Sequence, residues 1–282
     1  MLRGKLEELS DAEEKKLLGR MAALIHVDDP GRAAADSMLV AAGAPRYAEI
    51  GMREQAFARM LFYTLWDDCG GFTTYDDGLD HLRRYQFVCR EIRQVVKLGV
   101  AASKHAAKSL GAGLQHIPLL SHATYRREEV LAALQYGSLE QGKNVQHREG
   151  VAWCPATSTD AFFVTLNKDD KKHSATTMYK DYAISPELWE SQNATSPASP
   201  TGRRYLDRAT HGSRVLIFTR DTAYDETELT MPYTCLGQVD YVQHAGEKPI
   251  AITWKLHRPM PADVFTRAAA VGSNSRTRIF SS

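Results

Sequence analysis

Five side chains between residues 179 and 192 are of types that could hold a planar heterocycle: Tyr179, Asp181, Tyr182, Trp189 and Gln192. Aromatic faces stack on a base, and an acid or a carboxamide pairs with its edge. Lys168, Lys171, Lys172 and Lys180 flank this set, and cations beside such a pocket suit a phosphate-bearing ligand. A carboxylate is the natural acceptor for the N4 amino group of cytosine, so Asp181 is the candidate for that contact. Strand alternation puts Tyr179 and Asp181 on one face and Tyr182 on the other. Tyr179 is therefore the better stacking candidate, with Trp189 or Phe162 closing the other side. The bland reading of the same stretch is a strand, a turn and a short helix whose aromatics are core.

Other chemistries find no support in the residue pattern. No G-x-x-x-x-G-K-[ST] loop, H-E-x-x-H, G-x-S-x-G or zinc-deaminase signature occurs in the sequence. His105 and Lys108 do not give H-x-K, and the adjacent Glu247 and Lys248 do not give E-x-K, so neither nuclease pattern is met. His122, His147, His173 and His244 are dispersed, and Cys69, Cys89, Cys154 and Cys235 form no C-x-x-C pair. A binding module with no metal, no cofactor and no catalytic residue is the expectation. The net charge of +1 excludes a bulk polyanion binder and leaves local patches as the means of touching nucleic acid. The chain has no apolar run near 18 residues and no signal-like start, so a cytoplasmic protein without membrane contact is expected.

The elements that must position these residues change character near residue 115. Residues 1–115 read as helical. Ser10 and Glu13 form a capping box, and Leu17, Leu18, Met21, Leu24 and Ile25 follow at helical spacing. Asp28, Asp29 and Pro30 break that helix and cap the next. Glu49 to Trp66 carries one broad apolar face, and a long helix is expected from Leu79 to Leu110, with Leu82, Tyr85, Val88, Ile92, Val95, Val96, Leu98 and Val100 inward. Between His81 and Leu110 that helix holds Arg83, Arg84, Arg90, Arg93, Lys97, Lys104 and Lys108 against Glu91 alone. Such a run is a solvated face, or it contacts a phosphate backbone or an acidic partner.

After Gly111 to Pro118 the period shortens. A helix over Tyr125 to Leu134 precedes strand-like runs at Val151 to Trp153, Ala161 to Leu166, Arg214 to Thr219, Tyr233 to Val239 and Ile250 to Leu256. The expected class is α+β, with a curved or barrel-like second domain over 116–270 and a disordered tail over 271–282. The Pro/Ser-rich stretch 191–204 is expected as a loop whose Arg203 and Arg204 grip phosphate.

Several runs occur in a fixed order: Thr165-Leu-Asn-Lys168, Thr176-Thr-Met-Tyr179, Asp181-Tyr-Ala-Ile-Ser-Pro-Glu-Leu-Trp189, Thr201-Gly-Arg-Arg-Tyr-Leu-Asp207, and Pro232 through Pro261. Together they resemble the domain of unknown function that closes many bacterial superfamily II helicases. They are also similar to the C-terminal part of type IV restriction enzymes, which join a phospholipase-D-like nuclease, a helicase and a modified-cytosine reader. The resemblance starts near Pro118 and covers roughly half the chain. It implies an SRA-like or PUA-like barrel that reads 5-methyl- or 5-hydroxymethylcytosine in double-stranded DNA by base flipping, with the helical region coupling motor to reader. The helicase and nuclease halves are absent from this sequence, so the chain is expected to be a fragment or a stand-alone reader. The rival expectation is a structural module that docks on a helicase or nuclease without touching a base.

Overall fold

A computed structural model of the chain describes residues 11–111, 113–167 and 181–279. The class is α+β, with two compact units, Met1–Arg148 and Glu149–Ser282. The first is helical: α1 (Ala12–Met21), a 3-10 turn (Ala22–His26), α2 (Pro30–Leu39), α3 (Met52–Leu65), α4 (Tyr75–Arg83), α5 (Gln86–Ala101) and α6 (Arg127–Ala133). Asp11 caps α1, accepting from the backbone N–H of Glu13 and Glu14 at 2.8 and 3.2 Å; Ser10, the expected cap, lies outside the described residues. Asp29 caps α2 in the same way ahead of Pro30. Every residue of α3 from Ala56 to Leu65 is buried, so this helix is the centre of the unit.

The long helix expected over 79–110 is broken in two. The N–H groups of Arg84 and Tyr85 fall back on the carbonyls of His81 and Leu82, a tightened last turn that ends α4. α5 then stops at Ala101, and Lys108–Ser109 pairs antiparallel with Leu120–Ser121. Val88, Ile92, Val95 and Val96 are buried as their spacing predicts, whereas Leu98 is 59% exposed. A Cβ on Gly99 of α5 would lie 2.3 Å from the Val27 carbonyl oxygen, so glycine is what lets α5 approach the segment after the 3-10 turn.

The division falls after Arg148, not near residue 115, and one buried acid gives the reason. Glu129 of α6 is fully buried. It accepts from Arg32 Nη2 at 2.7 Å, Thr64 Oγ1 at 2.9 Å and the Arg126 backbone N–H at 2.7 Å, and it meets His26 Nε2 at 2.8 Å. A buried carboxylate is tolerated where cations and donors surround it, and those donors sit on α2, α3 and the 3-10 turn. Tyr125 OH reaches Asp29 and Thr124 N–H reaches Asp28, so residues 124–129 are knitted into the helical unit. Asp36, also fully buried, has Arg32 Nε at 3.5 Å and no hydrogen bond to either oxygen. Burial raises its carboxyl to about 7 despite Arg32.

The second unit is a mixed sheet: β1 (Val151–Cys154), β2 (Thr159–Thr165), β3 (Tyr182–Ser185), β4 (Leu188–Asn193), β5 (Arg214–Arg220), β6 (Tyr233–Ala245) and β7 (Ile250–Leu256). The spatial order is β1-β2-β5-β6-β7-β4-β3, with β2 and β5 parallel and the other neighbours antiparallel. Among the described residues β1 and β3 do not pair, so the sheet is open rather than closed into a barrel. The stretch after Pro186 is not the expected short helix. Ser185 Oγ accepts from the N–H of Glu187 and Leu188, which turns the chain from β3 into β4. Helices α7 (Pro200–Leu206), α8 (Arg208–His211) and α9 (Ala262–Ile279) complete the unit. α9 continues through most of the stretch expected as a disordered tail. One sheet face packs with Tyr205 of α7 and Val264 and Ala268 of α9 around Trp189, Trp254, Phe162 and Ile252.

Candidate functional site

The residues expected to hold a base separate into three environments. Tyr179, Lys168, Lys171, Lys172 and Lys180 lie outside the described residues. Asp181 and Tyr182 are half-buried where the chain enters β3, the terminal strand of the sheet. The Tyr182 hydroxyl donates to Glu190 Oε1 at 2.8 Å, which pins the ring across the β3–β4 pair. Gln192 lies on β4 opposite Ala251. Phe162 and Trp189 belong to the core. Phe162 meets Tyr205 and Trp254 edge-on at centroid distances of 5.3 and 5.9 Å, and Trp189 is 0% exposed. Neither offers a free ring face, so of the expected pocket residues whose side chains are described Asp181 and Tyr182 are the ones not placed in the core.

The arginines also divide. Arg203 is exposed on α7. Arg204, one residue on, points the other way and clamps the fully buried Asp160 with two bonds, Nε to Oδ2 at 2.7 Å and Nη2 to Oδ1 at 2.8 Å. Its guanidinium also lies 4.2 Å from the Trp153 ring centroid. Burial pushes the Asp160 carboxyl up against the pull of Arg204. Arg204 is therefore a fixed part of the sheet unit, not a phosphate grip on a mobile loop. The loop expected over 191–204 is largely ordered: Ser199 caps α7, and Gly202 packs so tightly on the chain before it that a Cβ would sit 1.9 Å from the Ser196 carbonyl oxygen. Sequence reasoning missed Asp160. Its one signal was an acid inside an otherwise apolar strand.

Similarly, Arg83 is turned inward, donating to the Leu39 carbonyl at 3.0 Å and to Asp80 at 2.7 Å. Arg84, Arg90 and Lys97 are exposed and Arg93 half-buried, and among the described residues none of the four has an ion-pair partner. Arg90 lies 5.1 Å from the Phe87 ring centroid. Arg90, Arg93 and Lys97 follow at helical spacing, so α5 presents a row of uncompensated cations about 10 Å long.

Arg208 of α8, another residue sequence reasoning passed over, bonds to β6 beside the start of β5. Its guanidinium donates to the Val239 carbonyl and to Asp240, whose other oxygen is 3.0 Å from His257 Nε2. Among the described residues no group of three or more His, Cys, Asp or Glu is placed to hold a metal ion, and no helix is long and apolar enough to cross a membrane.

A family model described as "Domain of unknown function (DUF3427)" matches residues 119–268. No curated protein and no solved structure matches the chain. The family match starts inside the helical unit, before α6, and ends within α9.

Proposed function

Because the chain belongs to the DUF3427 family, and its motifs resemble those of modified-cytosine restriction enzymes, we propose that it is a DNA-binding module that reads 5-methyl- or 5-hydroxymethylcytosine. It acts as part or partner of a helicase–nuclease defence system, and its second unit reads the base in the manner of SRA-like or PUA-like domains. The observation that carries the DNA-binding part is the cation row on α5. Most arginines elsewhere with a close carboxylate are paired to it, as Arg32, Arg204 and Arg208 are, whereas Arg84, Arg90, Arg93 and Lys97 have none among the described residues. Phosphates along one strand rise about 3.4 Å per nucleotide, so a row of roughly 10 Å spans about three.

Base reading is supported at Asp181. An extruded cytosine exposes its amino edge at a cost of roughly a few kcal/mol, and stacking on a tyrosine face returns about 1–3 kcal/mol. Asp181 would accept the N4 hydrogens, with Tyr179 as the stacking face. The test compares affinity for one duplex carrying cytosine, 5-methylcytosine or 5-hydroxymethylcytosine. Modified DNA should bind more tightly, and Asp181→Asn should collapse that preference while leaving background binding. A preference unchanged by Asp181→Asn in a folded protein moves the pocket elsewhere.

The second reading, a docking module for a helicase or nuclease, is favoured by the way residues 124–129 are built into the helical unit. It predicts no DNA affinity, modified or unmodified.

A further inference from the structure

A small cleft opens at the start of β5, lined by Arg208, Gly212, Ser213, Arg214 and Gln238, with a volume of about 170 Å³. Leu216 of β5 faces Gln238 of β6. Arg214, two residues earlier, is therefore the diagonal neighbour of Gln238 on the same side of the sheet. The two arginines of the cleft differ in what they already hold. Arg208 is committed to Asp240 and the Val239 carbonyl. Arg214 is half-buried and has no ion-pair partner among the described residues. The Asp240 charge is thus answered by Arg208, with His257 on its other oxygen, and Arg214 is the surplus cation. Diagonal to it, the Gln238 carboxamide oxygen is buried and has no hydrogen-bond partner among the described residues. A half-turn of that carboxamide presents its NH₂ donors instead. No aromatic ring lines the cleft, so a stacked base has no platform there. A surplus guanidinium and an uncommitted carboxamide are groups that bind a tetrahedral oxyanion, whereas the Ser213 hydroxyl at the rim already donates to the Arg204 carbonyl at 3.2 Å.

We propose that this cleft binds a phosphate group, with Arg214 as its charged donor and Gln238 as its neutral one. The phosphate chemistry stands without the DNA reading; that the phosphate belongs to a nucleic-acid backbone rests on it.

The experiment uses the full chain, wild type and Arg214→Ala, with Gln238→Leu as a second variant that keeps the charge. The Arg214 side chain makes no hydrogen bond or ion pair among the described residues, and its backbone bond to the Ser158 carbonyl survives the substitution, so thermal melts should match wild type. Inorganic phosphate is titrated by calorimetry, and a 20-base-pair duplex by fluorescence anisotropy over a salt series. Wild type should bind phosphate in the millimolar range. Arg214→Ala should weaken that about ten-fold and Gln238→Leu by a smaller factor. If the source is a DNA backbone, Arg214→Ala also lowers duplex affinity for every sequence alike and reduces the salt slope by about 1. Phosphate binding that depends on Arg214 in a protein that ignores DNA keeps the site and removes the DNA reading. Phosphate binding absent, or unchanged in a folded Arg214→Ala, overturns the site whatever the duplex does.

Discussion

Both units have an apolar core, but the helical unit also buries a cluster of charges. At the centre of the helical unit lie Arg32, Asp36 and Glu129, each without solvent exposure, with His26, Asp28 and Asp29 around them. At the centre of the sheet unit lie Trp189, Trp254, Tyr205, Phe162 and Ile252, and the fully buried acid Asp160 answers Arg204 at the margin. A charged centre is costly to build, yet it is selective about its partners. Glu129 is buried beside Arg32, Thr64 and His26, and with Thr124 and Tyr125 it ties residues 124–129 into the helical unit. An apolar centre is less particular, because hydrophobic burial has no direction. The sheet unit is consequently free to spend its remaining cations, such as Arg203 and Arg214, at the surface.

The sharpest test of this contrast cuts the chain where the family match begins. A fragment of residues 119–268 contains Glu129 but neither Arg32 nor Thr64. Its residues 119–148 should show no amide protection in hydrogen exchange, while β2, β5, β6 and β7 remain protected. Protection over α6 in that fragment would mean the ionic centre is not what orders it.

Next in size are two matched substitutions. Glu129→Ala leaves Arg32 buried without its closest partner and should cost the helical unit about 3–5 kcal/mol. Trp254→Ala should cost the sheet unit a similar 3–5 kcal/mol through the cavity it leaves. Hydrogen exchange resolved by residue separates them, since each loss should be confined to its own unit. A loss spread evenly over both would show that the units unfold as one.

A smaller effect distinguishes neighbouring arginines. Arg204→Ala strands the buried Asp160 carboxylate and should lower stability by about 2 kcal/mol in urea unfolding. Arg203→Ala, on the exposed side of the same helix, should change it by less than about 0.5 kcal/mol. Equal effects would contradict the inward role assigned to Arg204.

A change that depends on pH is expected at Asp36. Its carboxyl is raised to about 7 by burial, so the folded state keeps a proton that the unfolded state gives up near the ordinary carboxylate value. The stability this group contributes is complete below about pH 4 and is lost as the pH rises through about 7. Asp36→Asn mimics the protonated form. It should melt close to wild type at pH 4, near the ordinary carboxylate value, and melt higher than wild type at pH 8. If the variant is destabilised equally at both pH values, Asp36 is ionised in the folded protein.

Much of the fold was legible in the chain because it rests on local rules. The Asp29–Pro30 cap, the apolar face of α3 and the strands β1, β2, β5, β6 and β7 follow from capping chemistry and from periods of 3.6 and 2. Even the failures of local reading have local causes: α4 and α5 part at Arg84 and Tyr85 through two backbone bonds, and the β3–β4 turn depends on one serine hydroxyl. The candidate site was less legible. Phe162 and Trp189 carry the same aromatic signature whether they face a ligand or a core, and only the packing of α7 and α9 on the sheet decides that they face the core.

The sequence by itself determined the capped helices of the first unit, five strands of the second, and which residue types stand ready for a base or a phosphate. Tertiary structure alone decided which charges are spent inside. Arg32 meets Glu129 across 97 positions of chain, and Arg204 meets Asp160 across 44. An arginine looks the same in sequence whether its partner is a buried carboxylate or a phosphate. Only folding brings the carboxylate within reach, and along α5 and at Arg214 none arrives among the described residues.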